Sequence, residues 1–186
     1  SAVTPPSVIR RQDYRPPDWL VPRVALDFRL NAEATRVKAR LEVTRNGEHS
    51  RPLHLDGDGL VPLAVLIDGE KQADSWRMDG PALVIDLPGD AHVVETEVEI
   101  APARNTALMG LYASGGMLCT QCEPEGFRRI TFFPDRPDVL SRYTVRMEGD
   151  AMLYPILLSN GDCTDSGTLA DGRHWAQWED PFPKPS

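Results

Sequence analysis

The chain of 186 residues lacks most of the features that announce a function directly. No run of about 18 apolar residues occurs, so no segment is long enough to cross a bilayer as a helix. Cysteine is scarce: Cys119, Cys122 and Cys163 are an odd set, too small for a disulfide framework. Free thiols in a reducing compartment are the expectation. Ser1 to Arg15 contains no apolar stretch of the kind a signal peptide needs, which with the thiols points to a cytoplasmic location. Ser1-Ala2 reads as a tag scar. Basic residues are outnumbered, with 20 Lys and Arg against 28 Asp and Glu and a net charge of −8. That balance argues against a general nucleic-acid binder, which needs a basic face.

Catalytic signatures are missing too. There is no Gly-x-Ser-x-Gly nucleophile elbow and no glycine-rich phosphate loop. None of His49, His54, His92 and His174 is followed by Glu, so no His-Glu-x-x-His zinc helix exists. His49 and His54, five apart, suit neither face of a strand nor a helix as a shared metal site, and read as solvated surface residues. Cys119-Thr120-Gln121-Cys122 is half of a zinc ribbon without its second half. On a strand its two thiols face opposite sides, so reduced, unliganded thiols are expected.

What the chain does have is a period of two. Val24, Leu26, Phe28 and Leu30 alternate with Ala25, Asp27 and Arg29, and Val37, Ala39, Leu41 and Val43 with Lys38, Arg40 and Glu42. Val94, Thr96, Val98 and Ile100 alternate with Glu95, Glu97 and Glu99, and Tyr143, Val145 and Met147 with Thr144 and Arg146. Each stretch predicts a strand with one apolar and one polar face. Turn signals separate them: Asn46-Gly47, read as a hairpin, then Asp56-Gly57-Asp58-Gly59, Asp68-Gly69, Asp79-Gly80, Pro88-Gly89, Asn160-Gly161 and Asp171-Gly172. The 17 prolines further disfavour long helices. Only Ala32 to Arg36 and Pro137 to Ser141 look like single helical turns. The spacing of these segments predicts an all-β fold, a sandwich or a curved sheet.

Three features invite weaker readings. Trp175 and Trp178 suggest a sugar-stacking platform, but on one strand they face opposite sides, so one should enter the core. Arg128-Arg129 beside Phe127, Phe132 and Phe133 is a short basic patch, set against an acidic chain. Asp135-Arg136-Pro137 looks structural, with Asp135 capping a turn and Arg136 tying strands together.

A longer pattern sits in the second half. It runs from Gly110-Leu111-Tyr112-Ala113-Ser114 through Thr120-Gln121-Cys122-Glu123-Pro124-Glu125-Gly126-Phe127-Arg128-Arg129-Ile130. It continues in Asp135-Arg136-Pro137-Asp138-Val139-Leu140-Ser141-Arg142-Tyr143, Tyr154-Pro155, Leu157-Leu158-Ser159-Asn160-Gly161, Gly172-Arg173-His174-Trp175 and Asp180-Pro181-Phe182-Pro183-Lys184-Pro185. This series, covering residues 110 to 185, resembles the N-terminal domain of the bacterial aminopeptidase N family, the alanyl aminopeptidases, which are gluzincin-type zinc exopeptidases. The resemblance implies an all-β, sandwich-like fold, a saddle-like curved sheet, antiparallel or mixed, packed on a smaller sheet, and a parent enzyme that removes N-terminal residues from peptides. Its zinc and zinc ligands would lie in the following domain, so that this fragment binds no cofactor and is inactive alone. It implies the same chain's catalytic domain and peptides with a free N-terminus as partners, and neither nucleic acid nor membrane.

One family site maps onto this chain. By resemblance, Glu123 helps hold the substrate's free α-ammonium and Gln121 lines the pocket for the first side chain. The chemistry is apt: a carboxylate bonded to an ammonium is a charge-assisted pair, and an internal amide would leave that charge unmatched. Pro124 biases Glu123 towards an extended conformation. Glu125 is a competing carboxylate, assigned to the surface. The expected organisation is an irregular lead-in over 1–15, the β domain over 16–180 and the start of a linker over 181–186, where three prolines favour an extended connector. The alternative is a non-catalytic β-sandwich binding or scaffold module.

Overall fold

In a computed structural model the structure is described for residues 14–31, 33–101, 112–113, 117–118, 127–157, 159 and 161–184. The alternating stretches are all strands: β1 (Trp19–Arg29), β2 (Thr35–Arg45), β8 (Ala91–Ile100) and β11 (Ser141–Asp150). Shorter strands fill the intervals: β3 (Leu53–Leu55), β4 (Ala64–Ile67), β5 (Glu70–Lys71), β6 (Trp76–Asp79), β7 (Ala82–Ile85), β9 (Tyr112–Ala113), β10 (Met117–Leu118) and β12 (Ile156–Leu157), with β13 (Asp162–Thr168) and β14 (Arg173–Lys184) closing the chain. A mixed eight-stranded sheet runs in the order β13-β14-β11-β1-β2-β8-β4-β5, and β3-β7-β6 and β12-β10-β9 form two three-stranded sheets. The only parallel pair within the large sheet, among the described residues, is β1 with β11, where Arg23 faces Arg142 and Arg29 faces Glu148.

The two faces of the large sheet differ as the alternation requires. One carries Val24, Leu26, Phe28, Val37, Ala39, Leu41, Val94, Val98, Val145 and Met147, all buried. They join one core with Leu53, Leu55, Leu83 and Ile85 of the β3-β7-β6 sheet. The other face is a charge ladder. Arg36, Lys38 and Arg40 stand opposite Glu99, Glu97 and Glu95 across the β2–β8 pair. Arg36 reaches Glu97 at 2.7 Å and Glu99 at 3.4 Å. The glutamates that would have spread charge around a helix thus meet cations directly opposite on the neighbouring strand.

Two local expectations are overturned. Ala32 to Arg36 was to be a helical turn, but Thr35 and Arg36 open β2. Thr35 is fully buried, donates through Oγ1 to the Asn31 carbonyl and accepts from the Asn31 N–H, which closes a turn into the strand instead. Asn46-Gly47 does not make a hairpin: β2 pairs with β1 and β8, while β3, the next strand, belongs to the small sheet. The Pro137 segment does form a turn, with the Val139 N–H donating to the Arg136 carbonyl. The proline-rich end, read as a connector, continues β14 as far as Lys184, which pairs with Ser141.

Candidate functional site

Gln121 and Glu123 lie outside the described residues, as do Cys119 and Cys122. The elements on either side of them are described. Upstream, Met117–Leu118 pairs antiparallel with Tyr112–Ala113 and parallel with Ile156–Leu157. The Leu157 carbonyl in turn accepts from the Trp178 indole N–H at 3.1 Å, which ties β12 to β14 of the large sheet.

Downstream, Phe127–Arg129 form a single 3-10 turn, followed by the buried residues Ile130, Thr131, Phe132 and Phe133. This stretch is bound to Asp56-Gly57-Asp58. Asp56 and Phe133 exchange backbone hydrogen bonds of 2.9 and 3.1 Å, and the Asp58 N–H donates to the Arg128 carbonyl at 2.9 Å. The Asp56 carboxylate accepts from the Asp135 N–H at 2.9 Å. Two ion pairs flank these bonds, Arg129 to Asp58 at 2.9 Å and Arg128 to Asp135 at 2.8 Å. The Asp135 side chain is only 8% exposed. Gly57 permits the approach: a Cβ there would lie 2.6 Å from the Phe132 ring and 2.8 Å from the Pro81 carbonyl oxygen.

The sequence reading took Asp56-Gly57-Asp58-Gly59 for an ordinary turn and missed this clasp. Its partners lie 70 or more residues downstream, and nothing in a local pattern of Asp and Gly specifies them. The Arg128-Arg129 pair, weighed as a basic patch, has both guanidinium groups set against carboxylates.

Arg136, expected to tie strands together, instead joins its own loop to the segment before β1, and Asp135, expected to cap a turn, pairs with Arg128. Arg136 grips Asp138 through two hydrogen bonds and donates to the Arg15 carbonyl at 2.6 Å, while the Tyr14 hydroxyl donates to Asp138 at 2.7 Å. The charge-assisted bond from Arg136 and the hydroxyl bond from Tyr14 hold the Asp138 carboxyl below the usual aspartate range against the opposing effect of burial.

The remaining candidates have separate, local partners. His49 is half-buried rather than solvated: its Nδ1 accepts from the Arg51 N–H, its Nε2 donates to the Asp18 carbonyl at 2.7 Å, and its ring meets the edge of Trp19. His54 instead lies 3.7 Å from Asp56. Trp178 packs against the core, as one of the two tryptophans had to, whereas Trp175 lies on the opposite face beneath the Arg146 guanidinium at 5.3 Å. Cys163 is a free, exposed thiol. Among the described residues, no three His, Cys, Asp or Glu side chains converge in a way that could hold a metal ion. No helix among them is long and apolar enough to cross a membrane.

The whole described stretch coincides with a known family. The family model for the peptidase M1 N-terminal domain matches residues 15–186. The chain belongs to the peptidase M1 N-terminal domain family. Within it, the chain is 52% identical over 182 residues to aminopeptidase N of Caulobacter vibrioides and 47% identical over 180 residues to aminopeptidase N of Escherichia coli, covering 97% of this chain in each case. It spans 21% of the length of each of those relatives. Among solved structures, aminopeptidase A of Legionella pneumophila, crystallised in complex with aspartic acid, superposes with a TM-score of 0.86 at 32% identity, covering 94% of this chain and 21% of that one. An M1 zinc metallopeptidase of Deinococcus radiodurans has the same fold, with a TM-score of 0.70 at 19% identity over 91% of this chain and 40% of its own. The M1 N-terminal fold thus accounts for the mixed large sheet and its smaller partner, and agrees with the resemblance drawn from residues 110 to 185.

Proposed function

We propose that this M1 N-terminal domain serves a zinc-dependent aminopeptidase that removes N-terminal amino acids from peptides in the cytoplasm. The observation that carries the reading is the identity of 52% and 47% to two aminopeptidases N over nearly the whole chain. In this reading the domain packs beside a catalytic domain of the same polypeptide. That catalytic domain provides the zinc ligands, since this sequence has no His-Glu-x-x-His motif. The zinc, when bound there, activates water for attack on the first peptide bond. This domain alone is inactive and has no cofactor of its own.

Its contribution to the reaction is recognition. Glu123 accepts the substrate's α-ammonium, and Gln121 lines the pocket for the first side chain. A partly desolvated carboxylate distinguishes a free N-terminus from an internal amide because only the former carries the charge that matches it, a difference of about 1.5–3 kcal/mol for a charge-assisted bond. Fixing the amine also fixes the first carbonyl relative to the reacting water, which is a positioning effect. Nucleic acid and membrane have no part in this reading.

The test is turnover of an alanyl chromogenic amide by the 186-residue chain and by the full-length protein, each with and without chelator. Activity confined to the full-length protein and lost on chelation is expected. In that protein Glu123→Gln should lower kcat/KM by about tenfold or more, the equivalent of about 1.4 kcal/mol. Inactivity of the full-length protein would remove the enzymatic reading, and unchanged kinetics in Glu123→Gln would remove the anchor.

A further inference from the structure

We propose that Asn46-Gly47 is a self-modifying site, at which the Asn46 amide is lost through a cyclic imide and the entry to β1 is loosened as a result. The inference is independent of the enzymatic reading given above.

The pair is not spent on a hairpin, since β2 ends at Arg45 and the next strand joins another sheet. Gly47 has a φ of +82°, and a Cβ built on it would meet nothing within 4 Å beyond its chain neighbours. Its N–H makes no hydrogen bond among the described residues. The Gly47 nitrogen, the nucleophile of the reaction, is therefore both unhindered and unspent. Gly47 also borders an open hollow of about 520 Å³, shared with Arg45, Glu48 and His49, through which water reaches the segment. The Asn46 side chain, by contrast, is engaged. Its Nδ2 donates to the Pro17 carbonyl at 2.8 Å, so the amide that the reaction destroys is one the fold uses. The other Asn-Gly pair, Asn160-Gly161, differs in its glycine: a Cβ on Gly161 would overlap the Glu179 carbonyl, so its backbone is wedged against β14.

The Gly47 nitrogen attacks the side-chain carbonyl carbon of Asn46, gives up its proton and expels ammonia, which closes a five-membered imide. Water then opens the ring. Attack at the side-chain carbonyl leaves aspartate at position 46, and attack at the main-chain carbonyl leaves isoaspartate. One water is consumed and one ammonia released, and no oxidant or reductant takes part. Either product ends the bond to Pro17, because a carboxylate has no proton to donate to a carbonyl. Isoaspartate also routes the main chain through an extra carbon inside the Arg45–His49 loop, which the bond from Arg45 Nη1 to the His49 carbonyl closes at 2.6 Å. One event thus loosens both the segment before β1 and the grip of Arg45. The bond to Pro17 must open before the side chain can cyclise, so the fold sets the rate.

The experiment ages the folded 186-residue chain for several weeks in mildly alkaline buffer and follows it by peptide mapping with mass spectrometry. A gain of about 1 Da is expected at position 46, split by chromatography into aspartate and isoaspartate forms. Conversion at position 160 should run about tenfold more slowly, because Gly161 would first have to leave β14. In chain unfolded by guanidinium the two positions should convert at rates within about twofold of each other. The aged chain should lose about 0.5 M of its urea midpoint. Asn46→Gln, which cannot close a five-membered ring, should show neither the products nor the loss. Gly47→Ala should convert about tenfold more slowly, since its backbone resists a positive φ. If that variant folds poorly, Asn46→Gln still decides the matter. Absence of product at position 46 in the folded chain, or equal folded-state rates at positions 46 and 160, overturns the site. Conversion with an unchanged midpoint, or the same decline in Asn46→Gln, overturns the loosening assigned to it.

Discussion

Arg45 offers the sharpest test of what holds the loops at one end of the large sheet. Its side chain is 9% exposed, and it donates to the carbonyls of His49 at 2.6 Å, Leu87 at 3.0 Å and Gly89 at 3.0 Å. The guanidinium also stacks on Trp19, 4.4 Å from the ring centre, and makes an ion pair of 3.1 Å with Asp90. These contacts are unequal. Asp90 is 89% exposed, so that pair is worth about 0.5 kcal/mol or less. The three carbonyl bonds use the fixed fork of a guanidinium and join the segments after β2 and β7. With about 0.7 kcal/mol for each, discounted because the freed carbonyls regain water, and about 1 kcal/mol for the stacking, Arg45→Ala should cost about 3 kcal/mol. At a urea slope of about 2 kcal/mol per molar, the unfolding midpoint should fall by about 1.5 M. Arg45→Lys keeps the charge but cannot reach three carbonyls, and should lose roughly half as much. Asp90→Asn should shift the midpoint by about 0.2 M at most. Urea unfolding followed by tryptophan fluorescence measures all three. The reasoning fails if Asp90→Asn is as damaging as Arg45→Ala, or if Lys substitutes for Arg45 without loss.

Two further outcomes follow from the same geometry. Gly57→Ala should cost about 1–3 kcal/mol in the same unfolding assay, because its Cβ would have to displace the buried Phe132 ring. Lowering the pH should destabilise the fold through the aspartates. Asp18, held by Arg51, Asp68, held by the Val93 N–H and by His92, and Asp138, held by Arg136, all have folded pKa values below their ordinary 3.8. A depressed folded pKa means that the stabilisation is complete above the unfolded value and is lost as pH falls through the folded one. The urea midpoint should therefore be flat above about pH 5 with respect to these groups and decline below about pH 4, and Asp138→Asn should make that decline shallower.

Much of the fold is legible in the sequence because its strands are half-buried. Where one face is wet and the other dry, alternation writes the strand directly into the residue order, as in Val37 to Val43 and Val94 to Ile100. Partner choice is not written that way. Nothing local announces that β1 lies beside β11, or that the chain after Asn46-Gly47 leaves its sheet for another. Thr35 misleads for a related reason: its burial and its bonds to Asn31 depend on the closure of β2 onto β1 and β8. Gln121 and Glu123 came from a family pattern and not from any periodicity. Asp56 and Asp58 escaped because a turn motif and a clasp have the same local composition, and only contacts with Arg128, Arg129 and Asp135 tell them apart.

The parallel pair in the middle of the large sheet has a consequence for biosynthesis. Arg23 and Arg142 are partners, yet about 120 residues separate them along the chain. At a translation rate of about 5–20 residues per second, β1 leaves the ribosome about 6–24 seconds before β11 follows it. β2 covers one edge of β1 early, but the other edge presents unpaired backbone throughout that interval. The nascent domain should therefore depend on chaperone shielding of β1 until Asp150 has emerged, and a release experiment on stalled chains should show protease protection of β1 rising only when β11 is clear of the exit tunnel.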